Sequence, residues 1–275
     1  MQPRLLAGAV PSCLLIPLLA ACGLDSQQAP QVQLSVVVDG SGMGAFDNDL
    51  GYHIEITTMR VAFDNVEFTT GGEMHASLLH RVGGALQELV IPTAYAHPGH
   101  YAGGEIAGEM DGRFVVDWLA DGTEVGTATM LATRYNGANF VFTRATANDV
   151  PAGDPLLGHT MQLAGTATRD GATWSFHGFI DEEEGKRVIG LPIGDDLEAG
   201  AETPHFDVDG DTDVALGLQM LMVDPFEPDT AFDKLDFAEL DGDGDGDVEL
   251  VVGEAANNLI LRQLQVHDQY AVSIR

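Results

Sequence analysis

Two histidines in one short turn are the first residues of this chain that could bind a metal ion. A proline and a glycine separate His97 from His100 and favour a turn, which brings the two imidazoles within reach of a common ion. Glu105 or Glu109 could add a carboxylate oxygen, and neutral imidazole suits zinc, copper or nickel. We therefore predict a transition-metal site at this turn. The alternative is a surface turn whose histidines only satisfy local backbone groups.

An aspartate-rich segment near the C-terminus is the second chemical motif. Asp241, Asp243 and Asp245 alternate with glycine, and Asp247 and Glu249 follow them. Alternating carboxylates on a glycine-rich turn can surround a hard cation with oxygens, and calcium accepts the irregular geometry that results. We predict that these five acids form a calcium site with a structural role. The alternative is an acidic turn that only faces solvent.

The order of residues in this segment does not fit an EF-hand. Counted from Asp241 the twelfth residue is Val252, and counted from Asp243 the glycine at the sixth position is lost. The segment instead resembles the calcium loops of FG-GAP and related β-propeller repeats, in which alternating aspartates precede an apolar strand. The resemblance covers residues 241–253 and does not extend to the fold. It implies that the first three aspartates bind calcium and that Glu249 replaces the final aspartate of the family pattern.

A weaker copy of the pattern begins 34 residues earlier. Asp207, Asp209 and Asp211 alternate with other residues, but Thr212 stands in the place of a glycine and Ala215 in the last ligand position. We predict a second, weaker calcium turn here. A solvated acidic turn is again the alternative.

Other reactive residue types form no comparable pattern. The chain lacks Gly-x-Ser-x-Gly and His-Glu-x-x-His, so nucleophilic and zinc-dependent hydrolysis are not indicated. Met74 with His75 and His80, or His159 with Met161, could form a soft copper site, although methionine is more often a core residue. The sequence does not predict an enzyme.

The N-terminus indicates where the protein acts. Arg4 precedes an apolar run, residues 5–19, that is too short and too broken by proline for a comfortable membrane span, so it is typical of a secretory signal. The run ends in Leu19-Ala20-Ala21-Cys22, which resembles the lipobox of bacterial lipoproteins. The resemblance implies cleavage before Cys22 and attachment of a lipid, such as palmitate, to this cysteine.

This interpretation divides the chain into a signal peptide (1–21), a tether (22–31) and one domain (32–275) with an acidic final third (181–275). The only other cysteine lies in the signal peptide, so the mature chain cannot form an internal disulfide. Gly23 follows the cysteine where the enteric sorting rule would place Asp for inner-membrane retention. We therefore expect a protein of the cell envelope, lipid-anchored to the outer membrane at its periplasmic face or at the cell surface.

The net charge of the chain limits the classes of partner that it can bind. It carries 43 acidic and 12 basic residues, a formal net charge of −31. Such a surface repels phosphate groups, which excludes nucleic acid, and it attracts cations. The leading interpretation is a metal-binding lipoprotein that captures a transition-metal ion and hands it to a partner such as an outer-membrane transporter. The alternative is a calcium-stabilised structural or adhesive surface lipoprotein with no transition-metal role.

The elements that must position these motifs are mostly strands. Apolar residues alternate with polar ones in 32–38 and 52–56, and tight-turn signals at Asn136-Gly137 and Asp170-Gly171 predict two hairpins. Residues 254–265 have the spacing of a helix, and 229–240 could form a shorter one. The fold predicted is an all-β, antiparallel β-sandwich with a short helical element near the C-terminus.

Overall fold

Alternation of apolar and polar residues produces a structure made mostly of β-strands. A computed structural model describes residues 29–70, 104–194, 204–225, 227 and 229–275. The strands are β1 (Gln31–Asp39), β2 (Phe46–Asp47), β3 (His53–Thr70), β4 (Glu105–Asp117), β5 (Glu124–Leu131), β6 (Arg134–Tyr135), β7 (Gly137–Phe142), β8 (Met161–Arg169), β9 (Ala172–Ile180), β10 (Arg187–Pro192), β11 (Phe206–Asp207), β12 (Ala215–Met220), β13 (Asp247–Leu250) and β14 (Tyr270–Ile274). The helices are α1 (Phe237–Leu240) and α2 (Ala255–Leu264), with 3-10 turns at Gly40–Met43 and His267–Gln269. The predicted all-β class and the helical element near the C-terminus are confirmed.

The longest strand, β3, positions most of the others. Ile54 and Ile56 are buried and alternate with exposed residues, so one face of the strand joins the core. One edge of β3 pairs with β4. The other edge divides, since residues 53–61 pair with β8 and residues 63–69 pair with β7. β3 therefore links two groups of strands.

The strand pairings form a path that returns to its start. From β3 the path runs through β4, β5, β1, β12 and β14 in one direction and through β7 and β10 in the other. A bridge between Ile193 and Val272 joins the two ends, and Gly194 N donates to Val272 O at 2.9 Å. This closure pairs backbone groups that would otherwise lie at open sheet edges. β8, β9 and β13 branch from the first half of β3.

Most strand pairs are antiparallel, as predicted, but two strand pairs and the Ile193–Val272 bridge are parallel. β1 runs parallel to β12, and β9 runs parallel to β13. Two parallel strands need a long connection between them, and in both pairs the strands are far apart in the sequence.

Most buried apolar side chains form one large continuous cluster, and a second, smaller cluster contains Ala62, Ala145, Val150 and Leu156. Phe176 is buried near α1, and its ring centroid lies 5.3 Å from that of Phe232 and 5.2 Å from that of Phe237. Tyr270 of β14 contacts Phe140 of β7 at 5.0 Å across the interior. The core therefore joins both branches of the strand path.

One predicted hairpin is confirmed and the other is wrong. β8 and β9 pair across Asp170 and Gly171, whose φ angles of 54° and 81° suit a tight turn. β5 does not pair with β7, because β1 and β4 occupy both of its edges. Asn136 N donates instead to Thr69 O, and β7 lies between β3 and β10.

The helix predicted over 254–265 is confirmed as α2, whereas only the last turn of 229–240 is helical. Asn257 on α2 donates to Phe179 O at 2.7 Å and to Leu250 O at 3.1 Å, which fixes α2 against the sheet. None of the helices in the described ranges is long and apolar enough to cross a membrane.

The molecule has two ends that carry different features. At the tether end, Gln31 pairs with Leu131 and Thr70 pairs with Glu105. At the loop end, His53 begins β3, and the loop 241–246 lies beside the neighbouring strand β9, whose Ser175 N bonds to Gly246 O. β3 connects the two ends with 18 residues, a strand path of roughly 60 Å at about 3.3 Å per residue.

Candidate metal site

The aspartate segment forms a loop between α1 and β13. Asp236 caps α1, since its side chain accepts from Ala238 N, and the loop begins where this helix ends. Val248 and Leu250 of β13 are buried, and β13 pairs with β9 immediately after the loop. The core therefore holds both ends of the loop.

Asp241 organises the loop from within. Its Oδ1 accepts from Gly244 N at 3.0 Å and from Asp245 N at 3.1 Å. Its Oδ2 accepts from Gly246 N at 3.1 Å and from the indole Nε1 of Trp174 at 3.1 Å. These four donors wrap the backbone around one carboxylate and anchor it to β9.

Two glycines in the loop are required by backbone conformation. Gly244 has φ +75° and Gly246 has φ +82°, in the left-handed region. Other residues adopt this conformation at a cost of about 1–2 kcal/mol each. The alternation of aspartate with glycine therefore serves the shape of the loop as well as its charge.

Three predicted calcium ligands converge in this loop. One carboxylate oxygen from each of Asp241, Asp243 and Asp245 lies within 4.8 Å of the others. Two oxygens that share a calcium ion at about 2.4 Å each can be at most about 4.8 Å apart. Asp243 and Asp245 are exposed, so a hydrated ion can approach them from solvent. The arrangement can hold a hard divalent cation.

The other two acids of the predicted site are not part of this group. Asp247 Oδ1 accepts from Ser175 Oγ at 2.8 Å and lies 3.4 Å from His177 Nδ1. Glu249 pairs with His177 in the parallel register and is exposed. The strand geometry of β13 turns both side chains to the outer face of the sheet, because residues 247 and 249 alternate with buried ones.

Aromatic and charged side chains pack around Trp174 and Asp236, next to the loop. Trp174 packs edge-on against Tyr52, with ring centroids 5.6 Å apart, and the Arg169 guanidinium lies 4.0 Å above the Tyr52 ring. Tyr52 OH donates to Asp236 Oδ1 at 2.5 Å, and this bond holds the pKa of Asp236 below its usual value. The contact between Trp174 and Asp241 has no signal in the sequence, because 67 residues separate the two.

The weaker aspartate turn does not form a comparable group. Arg134 binds Asp207 through two bonds, of 2.7 and 2.9 Å, and holds the pKa of this carboxyl below its usual value. Asp209 N donates to Thr212 Oγ1 at 2.7 Å. Asp211 is exposed to solvent. Of the part of the chain that the structure describes, only 241, 243 and 245 form a three-carboxylate group. The arginine neutralises the first predicted ligand of the weaker turn.

The two glutamates predicted to assist the histidines lie on β4. In a regular strand Glu105 and Glu109 would share a face, but a β-bulge intervenes. Phe68 pairs with Gly108 and Thr69 with Ile106, which leaves Ala107 between them without a partner in the register. The bulge places the two exposed glutamates on opposite faces, so at most one of them can face a given ion.

Several predicted residues lie outside the described ranges. These are Cys22, His97 and His100, and also Met74, His75 and His80. His159 and Met161 are described and do not form a copper pair. Met161 is fully buried, whereas His159 is partly exposed, stacks on Phe179 and bonds through Nδ1 to Asp181 at 3.1 Å.

Comparison with known proteins adds no relative. No protein-family model, curated protein or solved structure matches this chain.

Proposed function

We propose that this chain is a lipid-anchored protein of the bacterial cell envelope whose acidic domain is stabilised by calcium bound in the loop 241–246. The observation that carries the proposal is the convergence of Asp241, Asp243 and Asp245. The net charge of −31 supports it, since a bound divalent cation reduces repulsion among the acids. Of the two functions that the sequence indicates, this arrangement favours the structural or adhesive surface lipoprotein.

Calcium would act by fixing the loop that connects α1 to β13. Asp241 already holds the loop backbone, so Asp243 and Asp245 are the carboxylates that an ion would draw in. An ion that binds only the folded state stabilises it by mass action, by about 1.4 kcal/mol at ten times its dissociation constant. Extracellular calcium modules bind at roughly 0.1–1 mM, so the site would be filled in a calcium-rich medium.

The test compares two matched double variants of the purified chain. After chelation, calcium at about 5 mM, several times the usual constant for such modules, is expected to raise the melting temperature of the wild type. Asp243→Ala with Asp245→Ala should abolish the rise, whereas Asp209→Ala with Asp211→Ala should retain it. The fluorescence of Trp174 should change over the same calcium range, because its indole contacts Asp241. An unchanged melting temperature in the wild type, or a rise that survives in the first variant, would refute the proposal.

Transition-metal capture at His97 and His100 stays a prediction from the sequence. Its test is the zinc, copper and nickel content of the purified protein, compared with that of the His97→Ala/His100→Ala variant. Equal metal content in the two proteins would exclude a role for this turn.

A further inference from the structure

The first described residues show where the proposed anchor meets the domain. Pro30 O accepts from Ala132 N at 2.7 Å, and Gln31 begins β1 beside Leu131. A Cβ placed on Gly210 would lie 3.6 Å from Pro30 Cβ, so the acidic turn 207–213 lies next to this entry point. The tether end therefore carries both the entry of the chain and the weaker aspartate turn.

The chain between the proposed lipid and the domain is short. Residues 23–28 separate Cys22 from residue 29, where the described part of the chain begins, so seven Cα–Cα steps join the two. Fully extended, seven residues span at most about 25 Å. The tether end must therefore remain within about 25 Å of the headgroups to which Cys22 would be attached.

The loop 241–246 lies at the opposite end. It is adjacent to β9 near the start of β3, whereas the tether end is at the other end of this 18-residue strand. The contour of β3, roughly 60 Å at about 3.3 Å per residue and bent by bulges between Ile56 and Thr58 and between Asp64 and Val66, is about twice the reach of the tether.

Acidic residues lie at both ends of the molecule. The loop end carries the acids of the loop, with Asp47, Asp49, Asp233 and Asp236 close to it around the start of β3. The tether end carries the acidic turn 207–213. The shortness of the tether, and not charge, therefore determines which end faces the bilayer.

We propose that the lipidated protein stands on the bilayer with its tether end toward the headgroups and with the loop 241–246 directed away from the membrane. The partner of the tether end is the lipid surface, and the loop is left accessible to calcium and to large molecules in the aqueous phase. This inference rests on the proposed lipidation of Cys22.

Energy transfer from a single tryptophan to a headgroup-labelled lipid tests the orientation. The full chain is produced in a lipoprotein-processing bacterium and reconstituted into phosphatidylethanolamine–phosphatidylglycerol vesicles that contain dansyl-labelled phosphatidylethanolamine. Trp118→Phe leaves Trp174 as the only tryptophan, next to the loop. Trp118→Phe/Trp174→Phe/Ile106→Trp places the only tryptophan at the tether end, at a position that is 50% exposed. Circular dichroism and melting temperature verify that both variants fold.

Transfer from position 106 is expected to be at least fivefold more efficient than transfer from Trp174. Equal transfer from the two positions, or stronger transfer from Trp174, overturns the orientation. Vesicle flotation of Cys22→Ser separates the two proposals. If this variant stays with the vesicles, the anchoring is wrong; if it is released and the transfer ratio is still not observed, the anchoring stands and the orientation is wrong.

Discussion

Asn48 joins parts of the molecule that are distant in sequence. Its Nδ2 donates to Phe232 O at 3.0 Å and to Leu235 O at 3.1 Å, and its Oδ1 accepts from Leu50 N and Tyr52 N. Asn48 is only 5% exposed; three of the four bonds are buried, and the bond from Leu50 N is partly buried. They connect the start of β3 to the segment that leads into α1 and the aspartate loop.

Asn48→Ala is expected to lower the free energy of unfolding by about 3 kcal/mol or more, since an unsatisfied buried polar group costs about 1–3 kcal/mol. Urea unfolding measures the change. Asn258→Ala is the matched control, because Asn258 is exposed and its side chain donates to Gly253 O on the surface. Equal losses of unfolding free energy in the two variants would show that the buried hydrogen bonds of Asn48 contribute no more to stability than an exposed one.

Glu182 is a buried acid with few partners. It is 2% exposed, accepts from Gln265 Nε2 at 2.5 Å, and lies near Lys186 and Glu183. Burial raises the pKa of Glu182 above its ordinary value of 4.5. The folded protein therefore binds this proton more tightly than the unfolded chain does. Below pH 4.5 Glu182 is protonated in both states and does not affect the free energy of unfolding. As the pH rises from 4.5 through the raised pKa, the unfolded chain ionises first, so the free energy of unfolding falls.

Glu182→Gln should therefore gain stability relative to the wild type as the pH rises from 4.5 through the raised pKa of Glu182, and the difference should be constant above it. The measurement is the difference in unfolding free energy between variant and wild type across this pH range. A constant offset would reflect altered packing, so the slope is the readout. Glu184→Gln, at an exposed neighbour on the same segment, should show no such slope. A flat difference for Glu182→Gln would contradict the argument.

At the scale of elements, a close approach of two strands determines where the aspartate loop lies. A Cβ on Gly178 of β9 would lie 2.5 Å from Leu250 O of β13, closer than real contacts allow. The parallel pairing of these strands therefore requires glycine at this position. Without that pairing, β13 could not hold the end of the loop beside Trp174.

Gly178→Ala is expected to cost about 1–3 kcal/mol of stability, as overpacking does in a well-packed region. It should also alter the fluorescence of Trp174, because displacement of β13 moves the loop. Gly44→Ala is the control, since nothing lies within 4 Å of a Cβ there. Unchanged stability and emission in Gly178→Ala would mean that β13 shifts without disturbing the loop.

At the scale of the whole molecule, net charge and strand closure act in opposite directions. A formal charge of −31 destabilises any compact state through self-repulsion. The continuous strand path and the large apolar core hold the chain together against this repulsion. Ions in the medium therefore have two separable effects, general screening and specific binding.

Raising sodium chloride from about 0.02 M to about 0.5 M should increase the melting temperature of the wild type and of Asp243→Ala/Asp245→Ala alike, because screening does not depend on the loop. Calcium added at constant ionic strength should further raise the melting temperature of the wild type only. Thermal denaturation monitored by circular dichroism distinguishes the two effects. A calcium gain of equal size in both proteins would mean that calcium acts on the acidic surface as a whole.

Local patterns in the sequence were sufficient for the fold class, the Asp170-Gly171 hairpin, α2 and the three aspartates that converge. Each of these depends on neighbours within a few residues. Alternation shows which face of a strand is buried, and Asp-Gly marks a turn because both positions tolerate positive φ. The aspartates of the loop come together because their own backbone wraps around Asp241.

Only the tertiary structure decided the pairing partners. Alternation does not say which strand lies beside which, so the hairpin predicted at Asn136-Gly137 gave way to pairing of β7 with β3 and β10. The same holds for the bulge at Ala107 that separates Glu105 from Glu109. It also holds for Trp174, which reaches Asp241 only because β13 packs against β9. Contacts between distant segments depend on how the whole core packs, and no short stretch of sequence contains that information.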